Sequence, residues 1–231
     1  MISLLYFILR IKYLIFIILA LFAISKAQTE SKFTLKPALG ITACQVHGDK
    51  YDGYHKLGFT GGLYLNALLK KKHSLEFGII YIQKGARKNA NPTKFDYTTY
   101  VLRLNYIEIP LMYRWQSNKF FYTLGLSYGY LINYYEASTD LGNYTGLYPF
   151  LKSEYSFNIG LGMMIKPQIG VEVRTNNSYL TVRPWQVGFV QPYYNNILAK
   201  TFSKGSYNNI MEVVLTYKLK PKKSREPKEE I

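Results

Sequence analysis

Little in this sequence points to an enzyme or to a disulfide scaffold. It holds one cysteine, Cys44, which excludes an intramolecular disulfide and leaves no thiolate cluster for a metal. Cys44 also lies well past the N-terminal apolar segment, which excludes a lipoprotein acyl site. Acidic residues are scarce: 14 Asp and Glu stand against 29 Lys and Arg, a net charge of +15. A surplus of that sign suits anionic partners. Apart from Lys70-Lys71-Lys72 and the C-terminal tail, however, the cations are scattered. Nucleic-acid binders gather them on one stripe or helix, so nucleic acid is not an expected partner. Past residue 27 no apolar run reaches the ~20 residues that a membrane helix needs. An uncharged run of 16 residues, 120–135, is dense in Gly and Tyr. Helical periodicity is lacking almost throughout.

What is present begins at the N-terminus. Tyr13 to Ser25 is an apolar core of 13 residues preceded by Arg10 and Lys12. Ser25-Lys26-Ala27 places small residues at the −3 and −1 positions of a cut after Ala27. This is the layout of a secretory signal peptide, with an uncleaved anchor as the alternative because Met1 to Leu9 is apolar too. The reading is a signal peptide over 1–27, a folded domain over 28–219 and a charged, disordered tail over 220–231.

Within the folded part, period-2 alternation predicts eight strands, at 33–46, 56–69, 73–86, 99–115, 119–134, 153–165, 168–183 and 207–219. The gaps between them alternate. Four are long (47–55, 87–98, 135–152, 184–206) and three are short (70–72, 116–118, 166–167). Outer-membrane barrels sort their connections this way, with short periplasmic turns and long external loops. The expected fold is all-β, an eight-stranded antiparallel up-and-down transmembrane β-barrel after an N-terminal signal peptide.

The two faces of each strand decide the solvent, because side chains alternate. One face reads Leu35, Leu39, Ile41 in the first strand, Leu57, Phe59, Leu63 in the second and Phe157, Ile159, Leu161 in the sixth. The opposite faces are rich in glycine and poor in charge, which suits a crowded interior. The charges they do carry, Lys36, Glu76, Glu108, Arg114, Glu172, Arg174 and Glu212, are expected to pair inside the lumen, since isolated buried charges are costly. A barrel of eight strands is just wide enough for side chains to fill. A periplasmic ligand-binding calyx is the alternative barrel, and it would turn Leu39, Leu63, Phe77 and Leu161 inward. In the fourth strand Leu102 and Leu104 are out of phase with Ile107, Ile109 and Leu111, which predicts a bulge near Asn105-Tyr106. Pro37 and Pro110 are awkward inside strands. With 23 Tyr in the chain, two aromatic girdles are expected. Phe33, Tyr113, Trp115, Phe120, Phe121 and Tyr217 fall near the short turns; Tyr97, Tyr100, Tyr134, Tyr135 and Tyr155 fall near the long loops.

Three stretches carry a family resemblance. LNYIEIPLMYRW (104–115), YTLGLSYGYLIN (122–133) and SFNIGLGMMI (156–165) resemble segments of the PorT-like outer-membrane β-barrel family of Bacteroidota. The Ala27-Gln28 cut is similar to those common in that phylum. The resemblance covers about 30 to 219 and implies a barrel in the outer membrane. It also implies a link to protein secretion, since the family's type member is tied to the type IX secretion and gliding machinery. Family chains tend to end on an aromatic residue, whereas this one continues as KPKKSREPKEEI.

Candidate sites are few. His47 and His55 flank a loop with Asp49 and Asp52, a polar loop or else a set of metal ligands of unfamiliar spacing. A lipid A-modifying enzyme would need a His base beside a Ser. His73 lies on the short-turn side and His55 has no evident partner, so no enzyme, no metal and no cofactor is expected. The aromatic long loops are the expected recognition surface, through Tyr144, Tyr148, Trp185, Phe189, Tyr193 and Tyr194. The expected partners are outer-membrane lipid and lipopolysaccharide, and an envelope or secretion-machinery protein.

Overall fold

The computed structural model describes residues 33–49, 51, 53–185 and 205–219. The expected signal peptide (1–27), the tail (220–231) and Phe189, Tyr193 and Tyr194 lie outside these. Eight long strands run in chain order: β1 Phe33–His47, β2 Lys56–Lys70, β3 His73–Lys88, β4 Tyr100–Ser117, β5 Phe120–Ser138, β6 Ser153–Met164, β7 Ile169–Ser178 and β8 Gly205–Tyr217. Each pairs antiparallel with the next. β1 pairs with β8 from Ala38↔Thr216 to His47↔Tyr207, which closes the sheet into a barrel. Closure leaves no edge with unpaired backbone groups, the condition for a sheet in lipid. No helix among the described residues is long and apolar enough to cross a membrane.

The side-chain alternation is resolved as expected for a membrane wall. Leu39 is 70% exposed, Leu63 50%, Phe77 48% and Leu161 53%, so the apolar stripes face outward and the calyx alternative fails. Inside, close approach demands glycine at particular points. A methyl group on Gly162 would run into the Phe121 ring, which lies buried across the pairing Phe121↔Gly162.

Four expectations are corrected. Leu102 and Leu104 do not break the phase of β4, since the even-numbered residues from Tyr100 to Arg114 all point inward. The register does shift at Asn105/Tyr106, but β5 carries the extra residue: Asn105 pairs with Asn133 and Tyr106 with Leu131, leaving Ile132 as the bulge. Leu102 and Leu104 therefore join Tyr106, Ile82, Leu131 and Phe150 in an apolar cluster inside the barrel. Burial of such a side chain contributes about 1.5–3 kcal/mol. Phe121 and Tyr100 point inward, at 0% and 4% exposure, and Tyr134 packs against the interior apolar cluster, so none of the three belongs to the girdles. The seventh strand stops at Ser178 rather than 183; the chain then bends over the barrel and Val182 enters the apolar cluster.

The prolines are accommodated by gaps in the ladders. The β3–β4 pairs stop at Phe77↔Leu111 and resume at Ile80↔Glu108, stepping over Pro110, which has no N–H to donate. Pro37 lies one residue outside the β1–β8 ladder, whose last pair is at Ala38.

Candidate functional site

From the short-turn end upward, the lumen is filled by three ionic groups. The lowest joins Lys36, Glu76 and Arg114. Lys36 is paired to Glu76, Arg114 lies 3.4 Å from the same carboxylate, and Asn66 donates to it at 3.1 Å. The Arg114 guanidinium also lies 3.4 Å from the centre of the Phe121 ring. The second group is Glu172 and Arg174, bridged at 2.8 Å, with Arg174 donating to the Tyr64 hydroxyl at 2.9 Å and Thr123 donating to Glu172. The third centres on Lys84. Its ammonium lies 2.5 Å from Glu108, 2.7 Å from Glu154 and 2.8 Å from Asn176. Asn176 returns a hydrogen bond to Glu108 at 3.0 Å, and Asn208 donates to Glu154 at 2.8 Å.

All seven residues expected in the lumen lie there, buried. Six of them take part in these groups. Glu212 does not: both its carboxylate oxygens are buried without a hydrogen-bond partner among the described residues, and its cross-strand neighbour Arg174 is engaged by Glu172 and Tyr64. Sequence reasoning missed Lys84 and Glu154. Both keep the inward parity of their strands, Lys84 with Glu76 and Glu154 with Asn158, so the alternation carried to the strand ends would have found them.

Above the ionic groups sits the apolar cluster, and above that the mouth. The β4–β5 wall stands taller than its neighbour: β6 starts with Ser153 opposite Tyr130, while β5 runs on to Ser138. In the shelter of this wall is a cavity of about 290 Å³ lined by Tyr51, Tyr100, Glu136, Tyr144, Tyr148, Arg183 and Trp185, among others. Arg183 makes a two-pronged ion pair with Glu136, one prong at 3.0 Å, and Tyr100 donates to the same carboxylate at 2.8 Å. The guanidinium lies 3.6 Å from the centre of the Phe150 ring. The Tyr51 and Tyr100 rings are 4.6 Å apart, and Tyr144 meets Tyr148 edge-on at 6.5 Å. Burial first, and then the Glu136 carboxylate, push the Tyr144 phenol up to about 12. It is therefore a neutral hydrogen-bonding group at any physiological pH.

Of the six loop residues expected to form a recognition surface, Tyr144, Tyr148 and Trp185 come together in this cavity. Phe150, also on that loop, is buried in the apolar cluster beneath. Glu136 and Arg183 were missed. The β5 bulge puts Glu136 on the inner face, and the bend after Ser178 brings Arg183 over it; neither is visible as a local pattern.

The candidate histidines have other contacts. His47 is 2.8 Å from Asn209 and 3.2 Å from Gln45, and His73 is hydrogen-bonded to Tyr113. No three of His, Cys, Asp and Glu gather as a metal site among the described residues.

An outward apolar band on a closed barrel with a filled, ion-paired middle defines a small transmembrane β-barrel. The sequence profile described as "Outer membrane protein beta-barrel domain" matches residues 26–189, and the chain belongs to that family, a barrel of the outer membrane. No curated protein matches the sequence. Among solved structures the chain is similar to Neisserial surface protein A, with 9% identity and a TM-score of 0.46 over 82% of this chain and 98% of that one. It is similar also to Ail, the attachment invasion locus protein of Yersinia pestis, at 11% identity and a TM-score of 0.45, covering 81% and 99%. The outer membrane protease OmpT of Escherichia coli shares 11% identity, with a TM-score of 0.37 over 81% and 95%.

Proposed function

We propose that this protein is a non-enzymatic outer-membrane barrel whose long-loop end recognises an envelope partner. One observation carries the reading: a cavity at that end is an aromatic cup with a Glu136–Arg183 ion pair at its side, set over a lumen filled by side chains. A guest can be held there by ring faces and by hydrogen bonds to tyrosine hydroxyls, and it meets packed side chains below. Long loops on a rigid scaffold are a common place for recognition. With the long loops outside the cell, the cup faces outward.

The resemblance to the PorT-like family suggests that the partner belongs to a protein-secretion machinery. Full-length protein purified in detergent from its native membrane, compared with the Tyr144→Ala/Tyr148→Ala double variant, tests this. Recovery of secretion components by the parent and their loss from the variant is the expected result. Identical recovery by both would remove the cup from the recognition surface. A His47→Ala/His55→Ala variant should leave the lipid A mass spectrum unchanged. A modified lipid A that depends on either histidine would establish the enzyme reading instead.

A further inference from the structure

The opposite end of the barrel carries a second, independent feature. The three short turns hold Lys70, Lys71, Lys72, Lys119 and Lys166, all exposed, with Lys218 half-buried just past β8. No Asp or Glu occurs in 33–35, 68–74, 115–122, 163–170 or 216–219, the described residues at this end. The long-loop end is mixed by contrast, with Asp49, Asp96 and Asp140 among its cations.

Directly above these turns the outer wall is indented. A groove of about 480 Å³ runs across β3 to β6, lined by His73, Tyr113, Trp115, Tyr122, Leu124 and Ile159. It is almost wholly apolar at its walls and rimmed by stacked rings: Trp115 and Tyr122 lie 5.4 Å apart, and His73 is hydrogen-bonded to Tyr113. Such a rim marks the level of the membrane–water interface. The registers place His73 opposite Trp115 and Trp115 opposite Tyr122. The triplet turn therefore abuts one side of the groove, and Lys119 sits in the turn beneath it. Gln116 couples the two turns, donating its backbone N–H to Lys72 and its side-chain amide to Asn118.

We infer that this groove and the lysines under it form a binding site for an anionic phospholipid of the adjoining leaflet, the acyl chain lying in the groove and the headgroup phosphate meeting Lys72 and Lys119. The occupant follows from the two halves together. The groove opens on the lipid-facing wall, so its guest is a hydrocarbon chain. The cations at its foot stand at headgroup depth with no carboxylate among the described residues of that end, so the guest's polar end is an anion. Each lysine near an anionic membrane surface strengthens association about fivefold, and the effect weakens with salt.

The full chain, refolded into vesicles in a Trp185→Phe background, leaves Trp115 as the single reporter. Its quenching by brominated phosphatidylglycerol is compared with that by brominated phosphatidylcholine at equal mole fraction. The expected result is a preference for phosphatidylglycerol of about fivefold or more at low salt. It should fall towards one in the Lys70→Ser/Lys71→Ser/Lys72→Ser/Lys119→Ser variant, with the barrel's circular dichroism retained. A Lys94→Ser control at the other end should keep the preference. Equal quenching by the two lipids overturns the site. So does a preference that survives the quadruple substitution, or one lost equally in the control. Displacement of the brominated lipid by added lipopolysaccharide but not by phosphatidylglycerol would overturn the choice of occupant.

Discussion

At the scale of single residues, the lumen shows that a buried charge has no fixed value. Lys84 is wholly buried and serves two carboxylates and an amide. Substituting Lys84→Met leaves Glu108 and Glu154 facing each other without a counter-charge. Removing one partner from a buried ionic group costs about 3–5 kcal/mol, and urea unfolding of the folded barrel should show a loss of that order. Glu212 is the opposite case. Its oxygens have no hydrogen-bond partner among the described residues, and a buried polar group left so costs about 1–3 kcal/mol, more when it is charged. Glu212→Gln removes the charge at nearly constant volume and should raise the unfolding midpoint. Equal destabilisation by both substitutions would show that the lumen ions act as one network and not as separate groups.

At the scale of elements, the bulge in β5 is the decisive irregularity. By adding Ile132 it changes which side chains face inward above it, so that Tyr134 and Glu136 turn towards the mouth. Deletion of Ile132 should close the ladder without turning Glu136, because Leu131 and Asn133 then alternate in the ordinary way and Glu136 stays on the inner face beside Arg183. Hydrogen exchange at residues 134–136 should be as slow as in the parent or slower; faster exchange there would contradict Ile132 as the extra residue. The loop between β3 and β4 is pinned differently. Asp96 accepts from Lys88 at 2.7 Å and from the Thr98 backbone and hydroxyl at 3.0 and 2.6 Å. The Lys88 bond first, and then those from Thr98, hold its carboxyl down at about 2. A depressed carboxylate contributes its order above the ordinary value and loses it as pH falls through the depressed one. The Thr98 amide should therefore stay protected at pH 4 and lose protection on acidification towards pH 2. Loss of protection already at pH 4 would contradict the pinning.

The strands themselves were readable because each is a period-2 pattern bounded by turn residues. Their bounds were read to within a few residues, except where the chain leaves the ladder after Ser178. The bulge was placed correctly along the barrel but on the wrong strand. An irregularity between two strands shows in sequence only as a phase mismatch, and the mismatch does not say which strand holds the extra residue. Leu102 and Leu104 misled for a related reason. Leucine suits lipid and an apolar interior equally, and hydropathy alone cannot separate the two.

At the scale of the whole molecule, the barrel reads as a closed wall around a solid filling. Ionic groups occupy the lower and middle levels, and ten buried apolar residues close the upper one. An eight-stranded lumen leaves little room beyond its own side chains. Reconstituted in a planar bilayer, the protein should show no steady conductance; a constant open-pore current would refute the filled lumen.

Sequence alone sufficed for the architecture and its solvent. Alternation, glycine-rich inner faces and sorted connections are local patterns repeated eight times, and repetition makes them legible. The inward direction of Lys36, Glu76, Glu108, Arg114, Glu172, Arg174 and Glu212 followed from parity in the same way. Tertiary structure alone decided who pairs with whom, because Lys84 finds Glu154 and Arg183 finds Glu136 across 70 and 47 residues of chain. The mouth depends on one inserted residue and one bend, and the lipid groove on outward side chains from four strands. Such sites exist only once closure brings distant residues to the same height on the barrel, and no local pattern encodes that height.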